Sequence, residues 1–449
     1  MDTPADYFGG LNEKLLSALP SGRSNVLEFG CANGRLGAAY KNLNPGTRWT
    51  GVEVNSNAAA TASQCLDAVI VGNVESLNVS QLGHQYDLVV FGDVLEHLRS
   101  PEMLLSVAHE ITTEDARLVC CVPNMGHVSI VERMLAGDLS YDSSGLLDST
   151  HLRFLSWAST YKLLLDAKWL PALADGYHVR PSNSELLRHL VAAAGSAAIP
   201  PQTALRNLLL YQLIVDCVKS PAPPKCATPA TFSVVVPVNR RTQFDLNIGR
   251  SPGVSEVHAE LISVEKAASP AAALAAGRAS SSSPWILFCH QDVYLPRGAG
   301  TAICSLLGAI PSAEVRQELI GFAGLTREGE STRMAGLMID RLSRFDHPRA
   351  STAASIDEVA VLLHRDSVHQ IDASLGWHTW ATDLCLAAGR KVARARIERV
   401  PIFHNSYADY RVPADWHKSA AILAEKYSDV HSIATLCGEI KSVLPQHCA

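Results

Sequence analysis

The sequence predicts two α/β domains joined by a helical connection, and three observations predict it. Strand-length apolar segments alternate with helix-period segments through the first 170 or so of the 449 residues. A proline-dense stretch, "SPAPPKCATPAT" (220–231), then interrupts the pattern. Beyond it the alternation restarts with "TFSVVVPVN". The expected domains run over 1–180 and 229–449, with a helical connector and proline-rich linker over 181–228 and the boundary near residue 225. A chain of this length exceeds what one ordinary core supports.

The elements follow in order. "NEKLLSAL" (12–19) reads as a helix stopped by Pro20. "SNVLEFG" is an apolar strand entering a glycine turn, and "TRWTGVEVN" a second strand ending in an acid. "LDAVIVGNVESL", "YDLVVFGDVLEHL" and "ARLVCCVPN" supply three more. Helical patterns such as "SPEMLLSVAHEIT" separate several of these strands, which implies a parallel sheet with right-handed crossovers. "SWASTYKLLLDAKWL" follows, then two predicted helices, "NSELLRHLVAAAG" and "TALRNLLLYQLIVDCVKS". The last is apolar nearly all round and is expected as a helix buried between domains. In the second half, strands are expected at "TFSVVVPVN", "VHAELISV", "WILFCHQD", "ELIGFAGL", "DEVAVLLHR" and "RVPIFHN". The helix "SPAAALAAGRAS" precedes the strand that ends at Asp292.

Composition narrows the classes. Hydrophobic content of 47% and charged content of 18% fit a globular protein. A formal charge of −6 argues against nucleic acid as a partner. The acidic, polar start lacks a secretory signal, and no stretch offers the roughly 20 apolar residues of a membrane helix. A cytoplasmic location is expected. The 11 cysteines contain no CxxC pair, so they read as reduced, mostly buried thiols.

"VLEFGCANGRLG" sets Gly30 and Gly34 in a strand-to-helix turn, where the backbone can approach a ligand closely. Glu53 ends the next strand about 20 residues on, where an acid can hold both hydroxyls of a ribose. The turn lacks GxGxxG, which disfavours a dinucleotide pyrophosphate and a nicotinamide-dependent oxidoreductase.

With these motifs in view, residues 7–170 resemble class I S-adenosylmethionine-dependent methyltransferases, of Rossmann-like fold. "VLEFGCANGRLG" is similar to the first family motif and "GVEVN" to the acidic second. "VGNVESL" resembles the adenine-contacting segment, and "YDLVVFGDVLEHLRSPEMLL" the fourth strand and its following helix. "VPNMGHVSIVERMLAGDLSYDSSGLLDSTHLRFLS" resembles a subgroup found with cell-surface polysaccharide enzymes. The resemblance implies that Glu28, Gly30 and Gly34 line the methionine end of S-adenosylmethionine. Glu53 would hold the ribose, Asn73 and Val74 would flank the adenine, and Asp93 would face the cofactor's amino group or the reaction site. Asn73 stands where the family more often has Asp. For the methyl acceptor, His127, His97, His151 and Asp148 are candidates; transfer to a hydroxyl needs positioning and a base. His127, at the carboxyl end of the fifth strand, is the preferred acid/base residue. His151 and Arg153 are expected to orient "HLRFLS" over the substrate.

In the second half, Asp292 ends a strand in "HQD", Asp383 opens a helix in "GWHTWATDLCLAAGRKVARA", and His404 ends "VPIFH". Two acids and a histidine can bind a divalent cation that offsets a diphosphate leaving group. Residues 231–410 resemble GT-A fold glycosyltransferases of the family-2-like type, through "FSVVVPVNRR", the segment leading to "HQD", and "IDEVAVLLHRDSVHQIDASLGWHTWATDLCLAAGRKVARARIERVPIFHNS". The resemblance implies Asp292 and His404 as metal ligands, Asp383 as catalytic base, and Trp377 and His378 bordering the acceptor. The usual DxD has His290 in its first position here, a nitrogen ligand that manganese tolerates better than magnesium. No uridine-binding acid directly follows the first strand; Asp245 and Glu265 are substitutes.

The expected protein is therefore a bifunctional enzyme of bacterial surface glycan synthesis. It would use S-adenosylmethionine, a divalent cation (Mn or Mg), a nucleotide-sugar donor and a glycan acceptor. Peripheral association with a membrane-bound glycan assembly system fits that context. The alternative is an active methyltransferase carrying a non-catalytic glycan-binding or scaffolding domain.

Overall fold

The computed structural model describes residues 10–181, 183–222, 230–329, 331–390, 394–408 and 411–441. The chain forms two compact units, the first over Met1–Ser220 with Tyr407–Asp409 and the second over the remainder. The boundary expected near residue 225 lies outside the described residues. No described helix is long and apolar enough to cross a membrane. The nine described cysteines are all free, and seven are buried.

The first unit is built on a seven-stranded sheet. Its strands are β1 (Asn25–Phe29), β2 (Arg48–Glu53), β3 (Ala68–Val71), β4 (Tyr86–Gly92), β5 (Thr112–Pro123), β6 (Trp169–His178) and β7 (Leu210–Lys219), in the order β3-β2-β1-β4-β5-β7-β6. The first five run parallel. Val26, Leu27, Phe29, Leu88, Val90, Val119 and Cys121 are fully buried, as expected of strands covered on both faces. Asn12 caps the first helix, its side chain accepting from Leu15 N at 2.9 Å.

The predicted helix over 203–220 is half wrong. Pro201–Leu209 is helical, but Leu210–Lys219 is β7, antiparallel to both β5 and β6. A continuous apolar run buried on both faces has no period that separates strand from helix. Here two sheet edges compete for the segment, and Ile214, Val215 and Val218 suit a strand. What was expected as connector therefore completes the sheet. β6 also went unpredicted; it sits at the sheet's edge beside β7.

The second unit holds a six-stranded sheet and a second sheet beside it. Its strands are β8 (Phe232–Val238), β9 (Glu260–Glu265), β10 (Trp285–Cys289), β11 (Val293–Tyr294), β12 (Glu318–Gly321), β13 (Ala323–Glu328), β14 (Ser331–Asp340), β15 (Ser343–His347), β16 (Ser355–Ile356), β17 (Ala360–His364), β18 (Arg394–Ile397) and β19 (Phe403–His404). The larger sheet has the order β18-β12-β17-β10-β8-β9, with β9, β8 and β10 mutually parallel. The other runs β11-β19-β14-β13-β16, with β15 on β14. "ELIGFAGL", expected as one strand, is two. The chain passes from the first sheet to the second at Phe322, whose carbonyl accepts from Leu337 N at 2.8 Å. A final hairpin pairs Ser432–Thr435 with Gly438–Lys441.

Candidate functional sites

Four residue groups expected to hold a nucleoside follow the carboxyl ends of four adjacent strands. The Gly30 turn follows β1, Glu53 ends β2, Asn73 and Val74 follow β3, and Asp93 follows β4. Open α/β sheets place ligands at this edge. Gly30 and Gly34 have φ of +73° and +76°. A Cβ at Gly34 would stand 2.9 Å from Cys65 Sγ and 3.0 Å from Ala62 Cα, so only glycine fits the turn without strain.

Glu53 is buried, and its carboxylate organises this edge. Oε2 accepts from Ala32 N at 2.8 Å and Oε1 from Asn55 N at 2.8 Å. The acid thus ties the β2 end to the glycine turn, and each oxygen keeps a lone pair for a further donor. Glu28 is placed differently from its expected role. It is buried, and Oε2 accepts from Trp49 Nε1 at 2.9 Å. Burial pushes its carboxyl up to about 8, against the pull of the Trp49 hydrogen bond. Asn73 Oδ1 accepts from Glu75 N at 2.9 Å, so part of its expected adenine-side capacity closes a local turn.

Asp93 has φ of +53°, and its Oδ1 accepts from Gln212 Nε2 at 2.7 Å. Burial raises its carboxyl to about 6, opposed by hydrogen bonds from Cys121 and Gln212. Gln212 lies on β7, in the stretch expected to be a mere connector.

His127 is a buried helix N-cap rather than an open loop residue. Its Nδ1 accepts from Ser129 N at 3.2 Å and meets Ser129 Oγ at 2.8 Å, while Nε2 lies 2.9 Å from the Val179 carbonyl. Both ring nitrogens are engaged inside the protein, and burial lowers the ring's pKa. The geometry differs from the open acid/base residue expected at this position.

Another group gathers instead at the start of the turn after β4. Glu96, His97 and His151 bring one potential ligand atom each to within 4.8 Å of one another. His97 and His151 were expected near the acceptor; Glu96, beside His97 in "LEH", was overlooked. The backbone carbonyl of Glu96 accepts from Leu152 N at 2.8 Å and Arg153 N at 3.0 Å, which fixes the "HLRF" segment over this turn.

In the second unit the structure brings together His290, Asp292 and His404, again within 4.8 Å. Asp292 and His404 are the two residues expected as metal ligands. β11 and β19 pair Val293 with His404, which brings the adjacent Asp292 close to the His404 ring. His404 Nε2 lies 3.5 Å from Asp292 Oδ1, and Nδ1 lies 2.9 Å from Asp340 Oδ1. Burial works against a charged ring here, but Asp292 and Asp340 overcome it and raise His404 to about 10. Burial likewise opposes the Asp292 carboxylate, which His404 and His290 nonetheless hold well below the usual range. Asp340, the last residue of β14, was missed; "GLMID" is a strand ending in an acid, like "GVE", and that signal was available. Gln291 of the "HQD" stretch bonds back to the β8 end, its Oε1 accepting from Arg240 N at 2.9 Å.

Asp383 is buried in the first turn of the helix Trp380–Gly389. Its carboxylate accepts from Lys426 Nζ at 2.9 Å and from Tyr427 Oη at 2.8 Å. Both oxygens are thus committed to the helix Ala414–Lys426 and the residue that follows it, an arrangement that holds structure together and differs from the open carboxylate expected of a base. His378 Nε2 lies 3.3 Å from Asp415 Oδ1 and near enough to His290 to affect its charge; Trp377 is exposed. Asp245 and Glu265 are drawn together by Arg241, at 2.9 and 3.5 Å.

A family model described as a methyltransferase domain matches residues 27–118, spanning β1 to the middle of β5. The N-terminal part carries a methyltransferase domain. Among curated proteins, the ribosomal RNA small subunit methyltransferase C of Aliivibrio salmonicida is 32% identical over 115 residues, 24% of this chain and 34% of its own length. Its counterpart from Aliivibrio fischeri is 31% identical over 115 residues, with the same coverage of 24% and 34%. The chain thus spans about a third of the length of these relatives. Among solved structures, a SAM-dependent methyltransferase from Archaeoglobus fulgidus is similar at 15% identity and TM-score 0.34, over 48% of this chain and 97% of that one. The plantazolicin methyltransferase BpumL in complex with SAH is similar at 15% identity and TM-score 0.31, over 48% and 86%.

Proposed function

We propose that the first unit binds S-adenosylmethionine and transfers its methyl group to a hydroxyl of a glycan. The observation that carries this is the Glu53 carboxylate, fixed by Ala32 N and Asn55 N at the edge where Gly30, Asn73 and Asp93 converge. The cofactor supplies an electrophilic methyl when bound. Glu53 accepts from its ribose hydroxyls, the glycine turn gives it close approach, and Asp93, held by Gln212, orients its amino end. The curated relatives are named for ribosomal RNA; a net charge of −6 favours a different acceptor for this chain.

We further propose that the second unit transfers a sugar from a nucleotide sugar, assisted by a divalent cation. The donor set fits such an ion: Asp292 gives an oxygen, and His290 and His404 give nitrogens, which suits manganese better than magnesium. The ion would offset the charge of the departing diphosphate. A second reading keeps this unit as a non-catalytic glycan-binding module, and the commitment of Asp383 to Lys426 and Tyr427 favours it.

Calorimetric titration separates these readings. The intact protein should bind S-adenosylmethionine, and Glu53→Ala should weaken that binding roughly 10-fold or more, the scale of lost charge-assisted hydrogen bonds. Unchanged affinity would remove Glu53 from the ribose. A sugar-nucleotide panel with manganese then tests the second unit; no binding across the panel leaves the glycan-binding module.

A further inference from the structure

The Glu96–His97–His151 cluster has the makings of a metal centre in the first unit. Three facts point the same way. First, the three potential ligand atoms lie within 4.8 Å of one another. Second, Glu96 is 1% exposed and its Oε2 is buried with no hydrogen-bond partner. An orphaned carboxylate oxygen in a dry site costs on the order of 1–3 kcal/mol or more unless something claims it. Third, both histidines are set as ligands. His97 Nδ1 lies 3.2 Å from the Thr150 carbonyl and His151 Nδ1 lies 3.1 Å from the Leu146 carbonyl. A carbonyl only accepts, so each Nδ1 carries the proton and each Nε2 keeps its lone pair. That outer arrangement is the one that orients metal-bound imidazoles.

The surroundings reinforce it. Thr150 Oγ1 donates to Asp148 Oδ1 at 2.6 Å and lies 3.0 Å from His97 Nδ1, bracing the ring from behind. The two rings meet edge to face, with centroids 4.9 Å apart.

We propose that Glu96, His97 and His151 bind one divalent first-row transition ion next to Asp93. Two imidazoles and one carboxylate suit zinc or manganese and leave positions open for another oxygen ligand. An acceptor hydroxyl on that ion would give up its proton to water more readily and present its oxygen in a fixed place. This role in methyl transfer rests on the reading of the first unit given above; the binding of the ion does not.

The test uses the full-length protein, stripped with chelator. Asp292→Asn combined with His404→Gln first removes the other candidate centre. Zinc calorimetry and manganese electron paramagnetic resonance on this background should then show one ion per chain. Adding Glu96→Gln or His151→Gln should weaken binding by at least about 10-fold. A crystal grown with zinc should place anomalous density about 2.0–2.2 Å from the Glu96 oxygen and the two Nε2 atoms. Because Glu96 and His151 are buried, thermal melts accompany each variant, and the less buried His97→Asn serves where they unfold. No ion on the background protein, or equal affinity in all three variants, overturns the proposal. S-adenosylmethionine titration of the same samples is a separate readout: its failure would overturn the methyl-transfer reading and leave the ion result standing.

Discussion

Asp340 holds His404 by its Nδ1 at 2.9 Å, leaving Nε2 turned toward Asp292. The contact fixes the orientation of the ring that the proposed cation site would use. Asp340→Ala should lower manganese affinity at His290, Asp292 and His404 by about 10- to 100-fold. Asp340→Asn, which can still accept from Nδ1–H, should lose less. Calorimetry on a chain carrying Glu96→Gln isolates this centre. Equal affinity in all three proteins would show that Asp340 does not position the ring.

Asp383 is expected to act on stability before it acts on rate. Its carboxylate is buried, and its removal strands Tyr427 Oη and Lys426 Nζ. Lys426 is partly exposed, so solvent recovers some of the loss. Asp383→Ala should destabilise the protein by about 1–3 kcal/mol, seen as a lower urea midpoint. An unchanged midpoint with sugar transfer down roughly 100-fold would instead return Asp383 to the role of base.

Glu28 gives the first unit a pH signature. Its carboxyl rises from 4.5 unfolded to about 8 folded. The native state therefore binds the proton more tightly, and stability from this group is full below about pH 4.5 and is lost as pH rises toward 8. Glu28→Gln keeps an acceptor for Trp49 Nε1 but cannot ionise. Its stability advantage over the parent should grow between pH 5 and about 8, read from paired melts across that window. Parallel pH curves for the two proteins would show that Glu28 is not protonated at neutrality.

Gly34→Ala should be costly at the cofactor turn. The residue would have to hold φ of +76° with its Cβ 2.9 Å from Cys65 Sγ. We expect a loss of about 1–3 kcal/mol and weaker S-adenosylmethionine binding. A melting temperature within error of the parent would mean the turn relaxes freely.

How much of this was legible differed by residue. Gly30, Glu53 and Asp93 lie at strand ends where the sequence pattern puts them, because a strand followed by a turn residue is a local signal. Asp292 and His404 were read from strand ends 112 positions apart in sequence, and the β11–β19 pairing brings those strand ends together. Gln212 was invisible because its strand was read as a helix, and a uniformly apolar run does not say which. Asp340 was lost with β14, whose first four residues are exposed and whose Gly336 breaks the pattern. For His127, position at a strand end says nothing about what its nitrogens touch. Only the fold shows Val179 and Ser129 taking them.

The place of β7 between β5 and β6 sets where this chain can be divided. A fragment ending at residue 180, where sequence patterning would cut, keeps β5 and β6 but removes the strand that joins them. Two long apolar ladders would then lie open, each a template for pairing with another molecule. Such a fragment would also lack Gln212, the donor that holds Asp93. A cut after Ser220 keeps both. The shorter piece should aggregate on expression, and its loss of cofactor binding would say nothing about the residues at the glycine turn.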